Sequence, residues 1–312
     1  MAKTVQDVAK SRAARELLID KYEGEIPSSI WVANASNDGG VIQHEAKARK
    51  EENRRVQEAI EKTNADSVQA SFLKEMLHSS GKCARNEGSF SIMPANIVRR
   101  AVKFYSEPGE VVLDPCAGHN SRMQVVHEAG RHYIGYDVCS KFMEFNREVA
   151  AKIGKQDNRA FFSDDCEITL HEQSSEKMVE QDNSVDFIFT SPPYWDLEHY
   201  DDHPEQLGIG KTYEQFLDGL QRVASECLRV LKPGKFCVFN VNDFRKDKKF
   251  YTYHADVLDR FQRAGFDQFD VIIMMWPSIP FRSIFATQVE KDKKTGKAHE
   301  YILVFQKPKE EI

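Results

Sequence analysis

The chain has 312 residues, with 43 Lys and Arg against 49 Asp and Glu and a formal net charge of −6. That length suffices for a large α/β unit with a substantial core, and the acidic balance excludes a uniformly basic nucleic-acid coat, although a local basic patch is enough to attract phosphates. It contains no run of about eighteen apolar residues and no signal-peptide pattern, so a cytoplasmic protein without a membrane span is expected.

Residues 1–87 read as an N-terminal helical extension to which no chemistry is assigned. Asn34 to Gly40 is turn-rich. Gln43 to Lys62 reads as a charged helix whose apolar face (Ala46, Val56, Ala59, Ile60) is too thin to be a core element alone. Its signs nearly balance, which argues against a simple phosphate-binding arm. Residues 88–312 read as one further domain. Phe90, Ile92 and Pro94 precede an amphipathic stretch to Phe104, an arrangement that also fits an ordinary staple and first helical turn.

Glu110 to Asp114 reads as a buried strand running into the small-residue turn Pro115-Cys116-Ala117-Gly118, with a helix from Ser121 to Ala129. Strand, tight turn and helix N-terminus form a cradle for a nucleotide-like ligand, because small residues permit close backbone approach. Gly130 to Asp137 reads as a second strand ending in an acid, about twenty residues after the turn, where an acid meets ribose hydroxyls. Asp137 is the candidate for that role, with Tyr136 beside it as a wall. Capping a helix from Ser140 to Ala151 is a compatible role for the same side chain. Ala160 to Cys166 reads as a third strand ending in Asp164 and Asp165.

Val185 to Phe189 is a short apolar run that suits a buried strand of a parallel sheet. It stops at Thr190-Ser191-Pro192-Pro193-Tyr194-Trp195. Consecutive prolines cannot donate to a ladder and favour extended backbone before them, so Ser191 should lie just past the strand's carboxyl end, where open α/β sheets place ligands. A side-chain oxygen, proline carbonyls and aromatic faces suit a planar ring carrying an exocyclic amino group.

Tyr213 to Val230 has a helical apolar period, Phe236 to Val241 reads as a fifth strand, and His254 to Ala264 reads as a helix closed by Gly265. Phe269 to Met275 and Tyr301 to Phe305 complete a seven-stranded α/β sheet with the last pair antiparallel. Two basic runs lie after the fifth strand (Arg245, Lys246, Lys248, Lys249) and between the last two strands (Lys291, Lys293, Lys294, Lys297). Each fits a solvated loop or a phosphate contact. Between them Arg282 is flanked by Phe281 and Phe285, a mix suited to base edges and stacking. The six cysteines show neither C-x-x-C nor metal-ligand spacing, so reduced thiols and no metal are expected.

Ser191-Pro192-Pro193-Tyr194 resembles the catalytic signature of the DNA amino-methyltransferases, in which Asp, Asn or Ser precedes Pro-Pro and an aromatic. The resemblance covers roughly residues 88 to 307. It implies a mostly parallel, Rossmann-like methyltransferase sheet with helices on both faces, S-adenosylmethionine as cofactor and DNA as partner. The turn departs from the family's Asp-Pro-Phe-x-Gly-x-Gly, with Cys116 for the aromatic and Asn120 for the second Gly; Asn tolerates left-handed backbone.

By resemblance, Ser191, Pro192, Pro193 and Tyr194 are catalytic. Phe90, Pro94, Asp114, Pro115, Cys116, Ala117, Gly118, Asp137, Asp165 and Thr190 bind the cofactor, Asp164 being the alternative to Asp165 for the adenine amino group. Trp195, Arg245, Lys248, Lys249, Arg282, Lys291, Lys293 and Lys294 are the substrate-binding candidates. Pro115-Cys116 lies in the cofactor turn, so a cytosine C5 nucleophile is rejected for Cys116.

The Ser form, with Thr before and Trp after, looks most like the N4-cytosine branch. N6-adenine methylation of DNA, amino-methylation of RNA and a non-catalytic nucleic-acid-binding module are the alternatives. Homodimerisation and a restriction-enzyme partner are left open.

Overall fold

The computed structural model describes residues 28–32, 93–118, 121–156, 166–197, 203–276, 293–295 and 297–309. The order is β1 (Ile30–Val32), α1 (Ala95–Tyr105), β2 (Val111–Asp114), α2 (Ser121–Glu128), β3 (His132–Asp137), α3 (Ser140–Gln156), β4 (Ile168–Glu172) and β5 (Val185–Thr190). Then follow α4 (Tyr213–Val230), β6 (Leu231–Val241), β7 (Phe244–Lys246), β8 (Lys249–Tyr251), α5 (Tyr253–Ala264), β9 (Asp267–Met275) and β10 (His299–Gln306).

Eight strands form one sheet in the order β1-β9-β10-β6-β5-β2-β3-β4, and β7 with β8 makes a separate hairpin. The β2–β3, β3–β4, β2–β5, β5–β6 and β1–β9 pairs are parallel, and β10 runs antiparallel to both of its neighbours. From β2 the chain winds outward through β3 and β4, then returns to lay β5 on the other side of β2. The strand order therefore switches between β2 and β5, and a crevice must open beyond their carboxyl ends because the connections leave in opposite directions.

Period-two alternation sends side chains of the central strands to two cores. Phe187 and Phe189 of β5 pack with Ile97, Val98, Ala101 and Val102 of α1 and with Met123 and Val126 of α2. Ile188 faces the other way, joined by Val185 across the register shift before Phe187, against Phe216, Leu220, Val223 and Cys227 of α4 and Val257 and Phe261 of α5. Burial on both faces explains why β5 is largely apolar, with Asp186 answered by Lys232. Helix α4 opens with a capping box in which the Thr212 hydroxyl accepts from the Gln215 N–H and the Gln215 side chain accepts from the Thr212 N–H. Gly265, at φ 107°, ends α5 in the left-handed conformation.

The α/β architecture with helices on both faces is as the sequence implies, and four details differ. The sheet has an eighth strand, Ile30–Val32, taken from the stretch set apart as an extension. Three residues are too few for a periodic signal, yet Trp31 is fully buried. The strand beside β3 is Ile168–Glu172, not Ala160–Cys166; Cys166 lies before it, and residues 157–165 fall outside the described residues. The strand expected to begin at Phe236 already begins at Leu231 as β6, with a register shift opposite it between Val185 and Phe187. Arg245 to Lys249 is no open loop but the β7–β8 hairpin. Its two-residue turn, Asp247 and Lys248, has φ of 51° and 67°, the left-handed pair of a type I′ connection. The helix Gln43 to Lys62, the loop Asn34 to Gly40 and the stretch Ser278 to Thr287 lie outside the described residues.

One buried ion pair ties the centre of the sheet to α2. The Asp114 carboxylate, 1% exposed, accepts from Arg122 Nε at 2.5 Å, Thr190 Oγ1 at 2.6 Å, Tyr133 Oη at 3.1 Å and the Cys116 N–H at 3.2 Å. Burial works against the charge on Arg122 and Asp114 outweighs it, so the guanidinium is held above its ordinary range. Arg122→Met should destabilise by about 3–5 kcal/mol, because Asp114 is left as a buried charge without a cation. Adding Asp114→Asn should recover part of that loss. Urea unfolding of the three proteins checks this, and additive losses would show that the two side chains act independently.

Candidate active site

The crevice beyond β2 and β5 is a cleft whose walls come from both halves of the chain. Pro115, Cys116 and Gly118 follow β2, Asp137 and Val138 end β3, and Ser191, Pro192, Pro193 and Tyr194 follow β5. Gly118 has φ 48°, and the turn is fastened by three hydrogen bonds: Arg122 donates to the Cys116 and Ala117 carbonyls, and the Ala117 N–H to the Tyr136 carbonyl. Asp114, Ala117 and Thr190 do not line the cleft. They are buried behind it, and the Asp114 carboxylate and Thr190 hydroxyl bond to each other. Their part is to hold the turn against the strand that bears Ser191.

Asp137 is half-buried and lines the cleft. Its Oδ2 accepts from the Gly118 N–H at 2.8 Å and its Oδ1 from the Cys139 N–H at 2.9 Å. Burial raises its carboxyl above the ordinary aspartate range, and the two N–H donors pull it part of the way back. Each oxygen keeps further acceptor capacity for a ligand hydroxyl. Tyr136 is not a wall. Strand alternation turns it to the opposite face, where it is fully buried, donates to Glu180 at 2.5 Å and stacks on His171. Phe142, in the first turn of α3, supplies the apolar surface near Val138 instead.

Cys116 lines the cleft as a thiol pushed well up by burial and by Asp114, the opposite of an activated nucleophile.

On the other wall, Ser191 Oγ donates to the Asn240 carbonyl of β6 at 3.3 Å. With its hydrogen so engaged, the oxygen keeps lone pairs for a donor in the cleft. Asn240 is itself buried and donates to Glu300, whose carboxyl is raised by burial. The Pro193 carbonyl accepts from Tyr253 Oη at 3.1 Å, which fixes the proline pair on the α5 side. Tyr194 packs edge-on to Phe244 and tilted against Tyr253, with ring centroids 6.4 and 5.8 Å away. Trp195, read as a base contact, does not line the cleft. Its ring lies between Tyr213 and Tyr251 under Lys246 Nζ, and its Nε1 donates to the Lys211 carbonyl.

Of the basic candidates, Arg245, Lys248 and Lys249 are exposed on the β7–β8 hairpin, with Arg245 over the Phe250 ring and Lys249 over Tyr251. Lys297, just ahead of β10, also reaches the hairpin, its Nζ lying 4.9 Å from the Phe250 ring centroid. Lys293 is exposed and Lys294 half-buried ahead of β10. Met93 lines the cleft, whereas Pro94 is the buried residue before α1. Phe90, Asp164, Asp165, Arg282 and Lys291 lie outside the described residues.

Several cleft residues carry no motif in the sequence. Gln173, Ser174 and Ser175 reach the cleft because they follow β4, and Ile168 to Glu172 is the signal that would have found them. Glu205, Gln206 and Leu207 also line the cleft, ahead of Gly208, which lies against the Trp195 backbone.

The sequence matches the model of a DNA methylase family over residues 7–148 and 185–311. The type II methyltransferase M.MthZI of Methanothermobacter thermautotrophicus is 28% identical over 145 residues, 41% of this chain and 41% of that protein. For the type II methyltransferase M.SfiI of Streptomyces fimbriatus the figures are 27% over 107 residues, 34% and 23%. The matched region thus spans less than half the length of either relative. Among solved structures, a Thermus thermophilus protein assigned as a DNA modification methylase, complexed with S-adenosyl-L-methionine, is 33% identical over 43% of this chain and 52% of its own, with a TM-score of 0.32. A methyltransferase from Methanosarcina mazei covers 67% of this chain and 97% of its own at 12% identity and a TM-score of 0.46. The family match takes in both the Asp137 wall and the Ser191 wall of the cleft, and the chain belongs to this DNA methylase family of N6/N4 amino-methyltransferases.

Proposed function

We propose that this protein transfers a methyl group from S-adenosylmethionine to an exocyclic amino group of a base flipped out of DNA, with N4 of cytosine as the acceptor. The carrying observation is that the acid at the end of β3 and Ser191-Pro192-Pro193-Tyr194 line one cleft. Family membership supports the reaction class, and the Ser form of the tetrapeptide favours cytosine. The catalytic unit is residues 88–312, with Ile30–Val32 completing its sheet.

The residues present fit the cofactor. Asp137 offers carboxylate lone pairs for ribose hydroxyls, Val138 and Phe142 offer apolar surface for an adenine ring, and the left-handed Gly118 leaves the turn's backbone open to close approach. Bound there, the cofactor supplies a methyl group activated by a sulfonium charge.

The chain's own work is to bind and orient. An exocyclic amino nitrogen shares its lone pair with the ring and is a poor nucleophile. Acceptance of its hydrogens by Ser191 Oγ and the Pro192 carbonyl favours a more tetrahedral nitrogen with its lone pair available. Tyr194, braced by Phe244 and Tyr253, offers a face on which the flipped base stacks. The exposed cations of the β7–β8 hairpin serve phosphates beside the cleft.

Nucleoside analysis by mass spectrometry of DNA treated with the protein and labelled cofactor tests the reading. N4-methylcytosine is expected, N6-methyladenine would move the acceptor to adenine, and an unmodified digest would overturn the assignment. Ser191→Ala should slow single-turnover transfer by roughly tenfold to a thousandfold while cofactor affinity holds. A wild-type rate would remove Ser191 from the amino group.

Asp137→Asn should weaken cofactor binding by about 1.5–3 kcal/mol. In the unsubstituted protein the charged acceptor is lost as pH falls. Because the carboxyl is raised, affinity should begin to drop above the ordinary aspartate value of about 3.9. Calorimetry across pH should find that acid-side drop absent in Asp137→Asn.

Lys248→Ala with Lys249→Ala should lower DNA affinity and flatten the log–log salt slope by up to about 0.9 for each phosphate no longer neutralised. An unchanged slope would make the hairpin a bystander.

A further inference from the structure

Gln206 is a mostly buried residue whose side-chain amide makes no hydrogen bond among the described residues and keeps its polar atoms open to the cleft. It is 7% exposed and lines the cleft beside Tyr194. Its position is rigidly set. The Gln206 N–H donates to the His203 carbonyl, Leu207 is packed into the α4 core, and Gly208 lies so close to the catalytic loop that a Cβ there would stand 2.1 Å from the Trp195 carbonyl oxygen. The segment is thus fastened to the residue after Tyr194, while Leu207 on its other side packs towards α4.

Resting on the reading above, we infer that Gln206 selects the base by donating an amide N–H to the ring nitrogen next to the amino group that is methylated. In cytosine and adenine that nitrogen carries a lone pair, whereas thymine and guanine carry N–H there and a keto oxygen in place of the amino group. Two acceptors for the amino hydrogens, Ser191 Oγ and the Pro192 carbonyl, combined with one donor for the ring nitrogen, complement the first pair and repel the second. An amide is the right group for this, because it donates without a charge that would have to be buried.

The test measures equilibrium binding of two short single-stranded oligonucleotides, one of cytosine and one of 3-deazacytosine. The second keeps the amino group and replaces the ring nitrogen by C–H. The wild-type protein should favour cytosine by about tenfold, the effect expected of one buried hydrogen bond. Gln206→Leu should bind the two within about twofold while S-adenosylmethionine affinity is unchanged. Gln206→Glu, of the same shape without the N–H, should also lose the preference, which covers any local disturbance caused by leucine. If nucleoside analysis gives N6-methyladenine, the comparison is made with adenine and 1-deazaadenine.

An intact preference in both variants, no preference in the wild type, or a fall in cofactor affinity without DNA would each overturn the assignment. Loss of the preference in both variants upholds the contact even if no methyl transfer is found, in which case only the catalytic reading fails.

Discussion

The buried Asp114–Arg122 pair is the constraint on which the cleft depends. A carboxylate sealed at the end of β2 needs its charge answered there, and the answer comes from α2, β3 and β5 at once. Arg122 directs Nη2 to the Cys116 and Ala117 carbonyls, so the same cation that neutralises Asp114 also shapes the turn after β2. Thr190, one residue before Ser191, is bonded to the other carboxylate oxygen. The two walls of the cleft, far apart in sequence, are therefore referenced to a single side chain. Such networks are specific because a half-satisfied version would cost more than none.

Around that centre the two walls are built from different materials. The β3 side relies on backbone N–H groups aimed at Asp137, which costs little side-chain entropy and leaves the acid presented to the cleft. The β5 side relies on packed rings. Tyr194, Phe244, Tyr253, Tyr213 and Tyr251 touch edge to face or tilted, except that Phe244 stacks on Tyr251, and Trp195 closes the group. Aromatic packing of this kind stiffens a proline-rich loop that has no ladder hydrogen bonds of its own. It also couples the β7–β8 hairpin to the proline-rich loop, since Phe244 and Tyr251 of the hairpin pack against Tyr194 and Trp195.

What could be read in the sequence was chemistry written locally at strand ends. Ser191 to Tyr194 and Asp137 are visible because a buried run stops at residues that a strand does not otherwise need, and the alternation of strands and helices implies the α/β class. Asp114 and Thr190 look like ligand groups because nothing local says that they meet across 76 positions. Trp195 follows the motif so closely that its packing against Tyr213 and Tyr251 has no local sign. The hairpin turn is hidden because Asp247-Lys248 lacks the Asn-Gly or Asp-Gly pair that announces left-handed backbone. Gln206 and Phe142 reach the cleft only through tertiary packing, and no period or spacing could mark them.

The three residues of β1 carry a consequence for where this protein can be divided. Among the described residues those lining the cleft lie at or beyond Met93 and would survive removal of Ile30–Val32. The sheet would not survive it unchanged. Trp31, fully buried and capped by Arg100 at 5.3 Å, fills space between α1 and the β9 edge. Without it a cavity of indole size opens there, a loss on the order of 3–5 kcal/mol. The backbone of β9 would also become a bare edge, open to pairing with another chain. Ile30–Val32 is thus a structural part of the sheet, and a chain shortened past it would meet self-association before it lost its cleft.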